Sequence, residues 1–513
     1  MLIERISYRN NNLSSTHYRP WAACATLVLA WGAASAQAGP TAGSVELERR
    51  TVAIDGGSLA YELGTLYVTE NRASKTSGVI GIGFARLRAT GPSHAPPIVV
   101  LPGGPGYSMR DAFTGANPSR LTMLRAHTAA ADVIVFDQRG FSDRGTVLAL
   151  PTIAPLALDQ PTTMPTYAAS WRAFAKAAIA ANPARDLSAY NIVECAADVD
   201  DLRKALGYDK ISLLGGSFGS QWSFAVMRLY PQIVARALLS AVEPLDDGFD
   251  MPSHVRAALQ RIAADADRDP GLQAYLPPGG ILAAVRELGD RFARGPVTVE
   301  VTDPKTGKRE RVVLGLGDLQ GALVMTTEPS EWPASILSLY HGRYEAWARA
   351  ELAARRGSLF SSVINPLIDS GIGVSVTRRH QLETDPAVAV LGPWGFAPHL
   401  ASRAAWPTPD LGEALRTPQQ SSIPVVFVNG DWDINTPVEN MLQIAPYFTH
   451  SHTIVAHRTE HAGAFYLARN HPAVISGFVE FFRSGSMAGL PAEIDHPAPK
   501  FAVPAFPPPR ARP

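Results

Sequence analysis

The stretch DKISLLGGSFGSQWSFAVMRLYP (residues 209–231) decides how this 513-residue chain is read. Residues 211–214 are an apolar run of strand length, and from Gln221 onward Trp222, Val226 and Tyr230 recur on one helical face. Between them, Gly215-Gly216-Ser217-Phe218-Gly219 fits the pattern G-x-S-x-G. In that pattern a strained strand-to-helix corner lifts the serine hydroxyl above the sheet, and small residues let the chain bend sharply. Ser217 is therefore the candidate nucleophile. A glycine-rich turn holding an incidental serine would look the same over five residues, so the rest of the chain has to supply a base.

Outward from the corner the pattern repeats. PIVVLPGGPG (97–106), DVIVFDQRG (132–140) and ISLLGG (211–216) read as strands that alternate with helical stretches such as 196–206, which predicts an α/β fold with a mostly parallel sheet flanked by helices. ARALLSAVEP (235–244) and IPVVFVNGDWD (423–433) read as further strands, followed by SHTIVAHRTEH (451–461) and a helix near 473–482. Residues 45–90 alternate in polarity and are broken by DGG at 55–57, which predicts an antiparallel opening. Residues 250–418 hold helical patterns and one hairpin, VTVEVTDPKTGKRERVVLG (297–315), turning at 303–307. They are expected to form an inserted, mainly helical cap between a first sheet segment (39–249) and a second (419–490). The proline-rich tail, 491–513, is expected to lie extended over the surface or to be disordered.

The amino-terminal residues differ from the rest. Arg5, Arg9 and Arg19 precede WAACATLVLAWGAASAQAG (21–39), which closes on Ala36-Gln37-Ala38. This reads as a secretory signal peptide over residues 1–38, cleaved after Ala38, and predicts a secreted or periplasmic protein with no membrane association once the signal is removed. Cleavage would leave Cys195 alone, so no internal disulfide is expected and Cys195 reads as a buried apolar filler on a helix. Lys plus Arg and Asp plus Glu both total 46, a balance that points to neither nucleic acid nor an anionic membrane surface as partner. No G-K-[ST] follows a glycine loop and no Cys/His cluster has zinc spacing, so neither metal nor other cofactor is expected. GLGDLQG (315–321) has the look of a dinucleotide loop but follows a hairpin instead of opening a βαβ unit.

A nucleophilic serine needs a base, and the base needs a group that fixes its tautomer. Asp433 closes the strand IPVVFVNGDWD and His461 closes the next one, 28 residues on. The chain order Ser, Asp, His, each at the carboxyl end of a strand, is the α/β-hydrolase order. Asp431 and His457 are the rivals: Asp431 lies one pleat before Asp433, and His457 lies inside the strand, four positions before His461. Acyl transfer also needs backbone donors for the developing oxyanion. LPGGPG after the first parallel strand offers Gly103 or Gly104, and the residue after the nucleophile offers Phe218.

Together with DQRG (137–140), ADVDDLRKALG (197–207) and GDWDINTP (430–437), these motifs resemble the α/β-hydrolase family of proline iminopeptidases and bacterial tripeptidyl aminopeptidases, in its secreted branch with a TAP-like C-terminal region. SEWPASI (330–336) is similar to the tripeptidyl branch. The resemblance spans most of the mature chain and selects Asp433 over Asp431 through G-x-x-D-x-x-T-P. It implies an aminopeptidase acting on peptide substrates with a free amino end. Two positions depart from the family pattern: Pro102 stands where a His is usual before GGPG, and Glu460 where a Gly is usual before the histidine. An aminopeptidase has to hold an ammonium group, and Glu243 follows directly on a strand end where such sites lie. Asp246, Asp247, Glu328 and Glu331 are further candidates. An esterase or amidase on small acyl compounds, and a catalytically silent binding protein of the same fold, stay open as alternatives.

Overall fold

The computed structural model describes residues 39–324, 328–461 and 463–509; the expected signal at 1–38 lies outside them. The strands are β1 (Val45–Ile54), β2 (Gly57–Thr69), β3 (Val79–Leu87), β4 (Ile98–Leu101), β5 (Val133–Phe136), β6 (Ile211–Gly216), β7 (Val234–Ser240), β8 (Val297–Thr302), β9 (Arg309–Leu314), β10 (Val425–Gly430), β11 (Ser451–His457) and β12 (Glu493–Asp495). One sheet runs β1-β2-β3-β5-β4-β6-β7-β10-β11-β12. Its first pairings, β1 with β2, β2 with β3 and β3 with β5, are antiparallel; from β5 to β12 every pairing is parallel.

β4 (IVVL) and β5 (VIVF) are buried at every residue, as strands covered on both faces are. Alternate side chains enter opposite cores. Val99, Leu101, Ile134 and Phe136 join Trp171, Phe174, Tyr190 and Trp222 on one face. Ile98, Val100, Val133 and Val135 join Phe478, Phe481 and Phe482 of the helix Pro472–Ser484 on the other. Cys195, on the helix Ile192–Ala205, is fully buried in the first of these cores.

The chain between β7 and β10 is divided among more than one apolar core, where the sequence suggested one cap. Helices Pro252–Ala266, Gly280–Arg294 and Trp332–Tyr340 enclose a separate core with the β8–β9 hairpin. Phe360, Ile364, Leu367, Trp406 and Leu415 instead join the main core beside Trp171 and Phe174. The tail is extended, yet pinned to the inserted region: Phe501 is 2% exposed, the Ala502 N–H donates to Ser330 O at 2.9 Å, and the Tyr275 hydroxyl donates to Phe506 O at 2.7 Å. GLGDLQG opens the helix Leu316–Val324, where Asp318 accepts the Gly315 N–H at 2.8 Å and pairs with the buried Arg355. It caps a helix and forms no part of a βαβ unit. No helix among the described residues is long and apolar enough to cross a membrane.

Candidate active site

Ser217 joins β6 to the helix Phe218–Leu229 with φ 57° and ψ −133°. A non-glycine residue held there costs about 1–3 kcal/mol and persists only where its surroundings over-determine it. They do so here, since the Ser217 N–H points at Ser240 O and Ala241 O, each 3.1 Å away at the end of β7. The corner also presses on the end of β4. A Cβ on Gly219 would lie 2.0 Å from Leu101 O, so only glycine fits.

The loop after β4 closes on the serine from the other side. A Cβ on Gly103 would lie 3.3 Å from both Gly216 O and Ser217 Cβ. The N–H groups of Gly103, Gly104 and Phe218 donate to no protein acceptor among the described residues. For Phe218 this follows from its place as first residue of a helix, whose leading N–H groups have no partner within it. The DQRG residues hold this loop from behind. Asp137, fully buried, accepts from Ser108 (2.6 Å), Arg110 (2.6 Å) and Ser142 (2.9 Å). Gln138 bonds the loop itself. Arg139 makes two 2.7 Å bonds to Asp198 and reaches Glu70 O and Ala189 O. That buried pair belongs to a wider network, since Arg72 also reaches Asp198 at 2.7 Å and Glu194 lies 3.3 Å from Arg139.

Asp433 and His461 lie in loops beyond β10 and β11, whereas the sequence placed them at the strand ends. β11 stops at His457 because Arg458 takes φ 56° and leaves the sheet. Asp433 is 1% exposed and accepts from Asn435 N (2.8 Å), Thr436 N (3.0 Å) and Thr436 Oγ1 (2.8 Å). This explains the D-x-x-T spacing: the threonine fixes the carboxylate. Asn429, from β10, donates to Thr436 O at 2.8 Å and accepts the Val242 N–H at 2.6 Å, tying the acid loop to the chain just past β7. His461 Nδ1 is 2.9 and 3.1 Å from the two Asp433 oxygens, which leaves Nε2 as the nitrogen able to take a proton. No hydrogen bond joins Ser217 Oγ to His461 in this structure. Burial pushes the His461 pKa down, but Asp433, with Asp250 and Glu460 adding to it, outweighs burial and holds it above the ordinary value. The rivals pair with each other instead: His457 Nδ1 is 2.9 Å from Asp431 Oδ2, whose other oxygen accepts the Arg458 N–H.

Glu243 is half-buried just past β7, its N–H donating to Ser220 Oγ at 2.9 Å. Burial, reinforced by Asp250, Asp369 and Asp247, pushes its carboxyl well above the usual range. Asp250, bonded by Asn440 at 3.0 Å, is pushed up to about 8 by burial and by Asp433. Of the other anchors named from sequence, Asp246 is committed to Ser375 N and Oγ, Asp247 to Arg378 at 2.9 Å, and Glu328 and Glu331 are exposed on the inserted region. Glu460 is pushed up to about 7 by burial, with Glu328 and Asp433 adding and His461 opposing. Asp250 and Asp369 were missed from sequence. The strand-end argument that found Glu243 could have reached Asp250, but nothing local marks Asp369, on the helix Ile364–Ile372. Among the described residues no group of three or more His, Cys, Asp or Glu is placed to hold a metal ion.

A family model described as the alpha/beta hydrolase fold matches residues 96–274, and one described as TAP-like protein matches residues 396–492. The serine protease Hip1 of Mycobacterium tuberculosis is 24% identical over 434 residues, covering 77% of this chain and 80% of that protein, and Hip1 of Mycobacterium bovis matches to the same extent. Among solved structures, a malate-bound thermophilic esterase from Thermogutta terrifontis is 17% identical, covers 82% of this chain and 99% of its own, and has a TM-score of 0.33. Epoxide hydrolase A from Mycobacterium thermoresistibile is also 17% identical, with 86% and 99% covered and a TM-score of 0.34.

Proposed function

The chain belongs to the α/β hydrolases and carries a TAP-like C-terminal region, and from there we propose that it is an exported aminopeptidase working through an acyl-enzyme on Ser217. His461 Nε2 takes the Ser217 proton as the hydroxyl attacks the scissile carbonyl, then gives it to the leaving amine. Asp433 keeps the imidazole in the required tautomer and offsets its charge when protonated. The Phe218 N–H and that of Gly103 or Gly104 receive the oxyanion. Water then attacks the acyl-enzyme with His461 as base, freeing the serine.

The observation that carries this reading is the convergence of a serine held at positive φ, unspent backbone donors and an Asp–His pair with a buried carboxylate, in the loops beyond the neighbouring strands β10 and β11. A peptide substrate is supported by the relationship to a serine protease. A free amino end is supported by the Glu243 carboxyl, whose proton affinity burial and the nearby Asp250 and Asp369 raise and an ammonium ion would relieve. Export rests on the arginine-led apolar segment ending at Ala38.

The test compares kcat/KM for free and N-acetylated tripeptidyl p-nitroanilides in the wild type and in Glu243→Gln. An ammonium lost from a desolvated carboxylate costs about a hundredfold or more, so the wild type should favour the free amine by that factor and the variant should lose most of the preference. Equal hydrolysis of both substrates by the wild type would replace the aminopeptidase by an esterase or amidase. Discrimination surviving in Glu243→Gln would move the anchor to Asp250 or Asp369.

A further inference from the structure

The glycine loop after β4 has to present an N–H in one direction, and a run of glycines has too much conformational freedom to hold it unaided. Gln138 supplies the constraint. Its side chain is fully buried and its carboxamide is used at both ends: Oε1 accepts the Gly106 N–H at 2.7 Å, and Nε2 donates to Gly103 O at 2.9 Å. The orientation is forced, because turning the amide over would set donor against donor at Gly106 and acceptor against acceptor at Gly103.

The Gly103–Gly104 peptide is trans, so its C=O and N–H point to opposite sides. Fixing Gly103 O on Gln138 therefore also fixes the direction of the Gly104 N–H, which donates to no protein acceptor among the described residues. The Gly103 α-carbon meanwhile faces Ser217 closely enough that a Cβ there would lie 3.3 Å from Ser217 Cβ. Asp137 anchors Ser108 and Arg110 just beyond the loop, so Gln138 bonds to a segment already held at its far end.

From this geometry we infer that Gln138 is a positioning residue: it sets the Gly104 N–H as the loop's oxyanion donor and, through that donor, the rate of attack by Ser217. The inference rests on the acyl-enzyme reading above. Deleting an oxyanion donor outright slows catalysis about a hundred- to a thousandfold. Loss of Gln138 loosens the donor without removing it, so a slowing of roughly tenfold to a hundredfold is expected.

The experiment is phosphonylation by a fluorophosphonate probe, followed to completion in the wild type, Gln138→Met and Gln138→Glu across a pH series. The plateau reports the fraction of competent protein and the rate constant reports the oxyanion site. Gln138→Met should reach the wild-type plateau at the reduced rate. Gln138→Glu keeps the acceptor for Gly106, but faces Gly103 O with a charge when ionised and with a donor when protonated. Its rate relative to the wild type should therefore climb as pH falls. A merely structural role would lower the plateau and leave both the rate constant and the pH ratio unchanged, which would overturn the inference, as would a wild-type rate in Gln138→Met. If Gln138→Met yields no competent protein, the pH ratio of Gln138→Glu decides. A wild type that takes no label on Ser217 removes the acyl-enzyme reading and this inference together, whereas a labelled wild type with an unslowed variant removes the inference alone.

Discussion

Asp433–His461 and Asp431–His457 are joined alike, imidazole Nδ1 to carboxylate at 2.9 Å, by residues from the same two loops and strands. Their surroundings differ. Asp433 is 1% exposed and holds three further donors from its own loop, which Asn429 ties to the end of β7 where the Ser217 N–H is also held. Asp431 keeps one further donor, the Arg458 N–H, and His457 turns its Nε2 toward Glu493 on the neighbouring edge strand, 3.7 Å away. An Asp–His contact is thus not by itself a proton relay. What matters is which strand ends the carboxylate is anchored to and what the free imidazole nitrogen faces.

The widest separation between the pairs should appear in turnover. Asp433→Asn and His461→Ala should each lower kcat by roughly three to six orders of magnitude, and neither loss should add to that of Ser217→Ala, because the three act as one unit. Asp431→Asn and His457→Ala should stay within about threefold of the wild type, since that pair touches no reacting group. The comparison breaks if Asp431→Asn is crippling and Asp433→Asn is active.

A smaller effect should appear in the pH profile. The base works as neutral imidazole, so activity is present above the His461 pKa and is lost as pH falls through it. With that pKa raised by Asp433, Asp250 and Glu460 against burial, the acid limb of kcat/KM should have its midpoint above the ordinary histidine value. Glu460→Gln removes one of the raising charges and should move the limb to lower pH by about half a unit. The shift is modest because Glu460, itself pushed up to about 7, is only partly ionised where His461 titrates. Movement to higher pH would mean that Glu460 acts on the imidazole by something other than its charge.

The contrast between the pairs also shows how far the sequence could be read. The corner at Ser217 was legible because its steric demands fall on adjacent residues: glycine at 219 is required by the end of β4, and the serine's strained geometry follows from the turn. The acid loop was legible for the same reason, since Asn435 and Thr436 bond Asp433 from within three positions. The end of β11 was misjudged because the turn at Arg458 is set by its bond to Asp431, a partner in another strand's loop. The carboxyl group of Asp369 and the hold of Gln138 on Gly103 and Gly106 depend on segments far apart in the chain, and no periodicity or spacing records them. The inserted region was recognised as mainly helical, but its division among separate cores depends on which apolar faces meet Trp171 and Phe174 and which pack apart from them.

On the function proposed above, Ser217, served by Asp433 and His461, is the residue that carries the acyl group. Labelling the full chain with a fluorophosphonate and mapping the adduct by peptide mass spectrometry tests it most directly. A single adduct on Ser217 is expected in the wild type and none in Ser217→Ala. An adduct on another residue, or Ser217→Ala labelled as fast as the wild type, would contradict it.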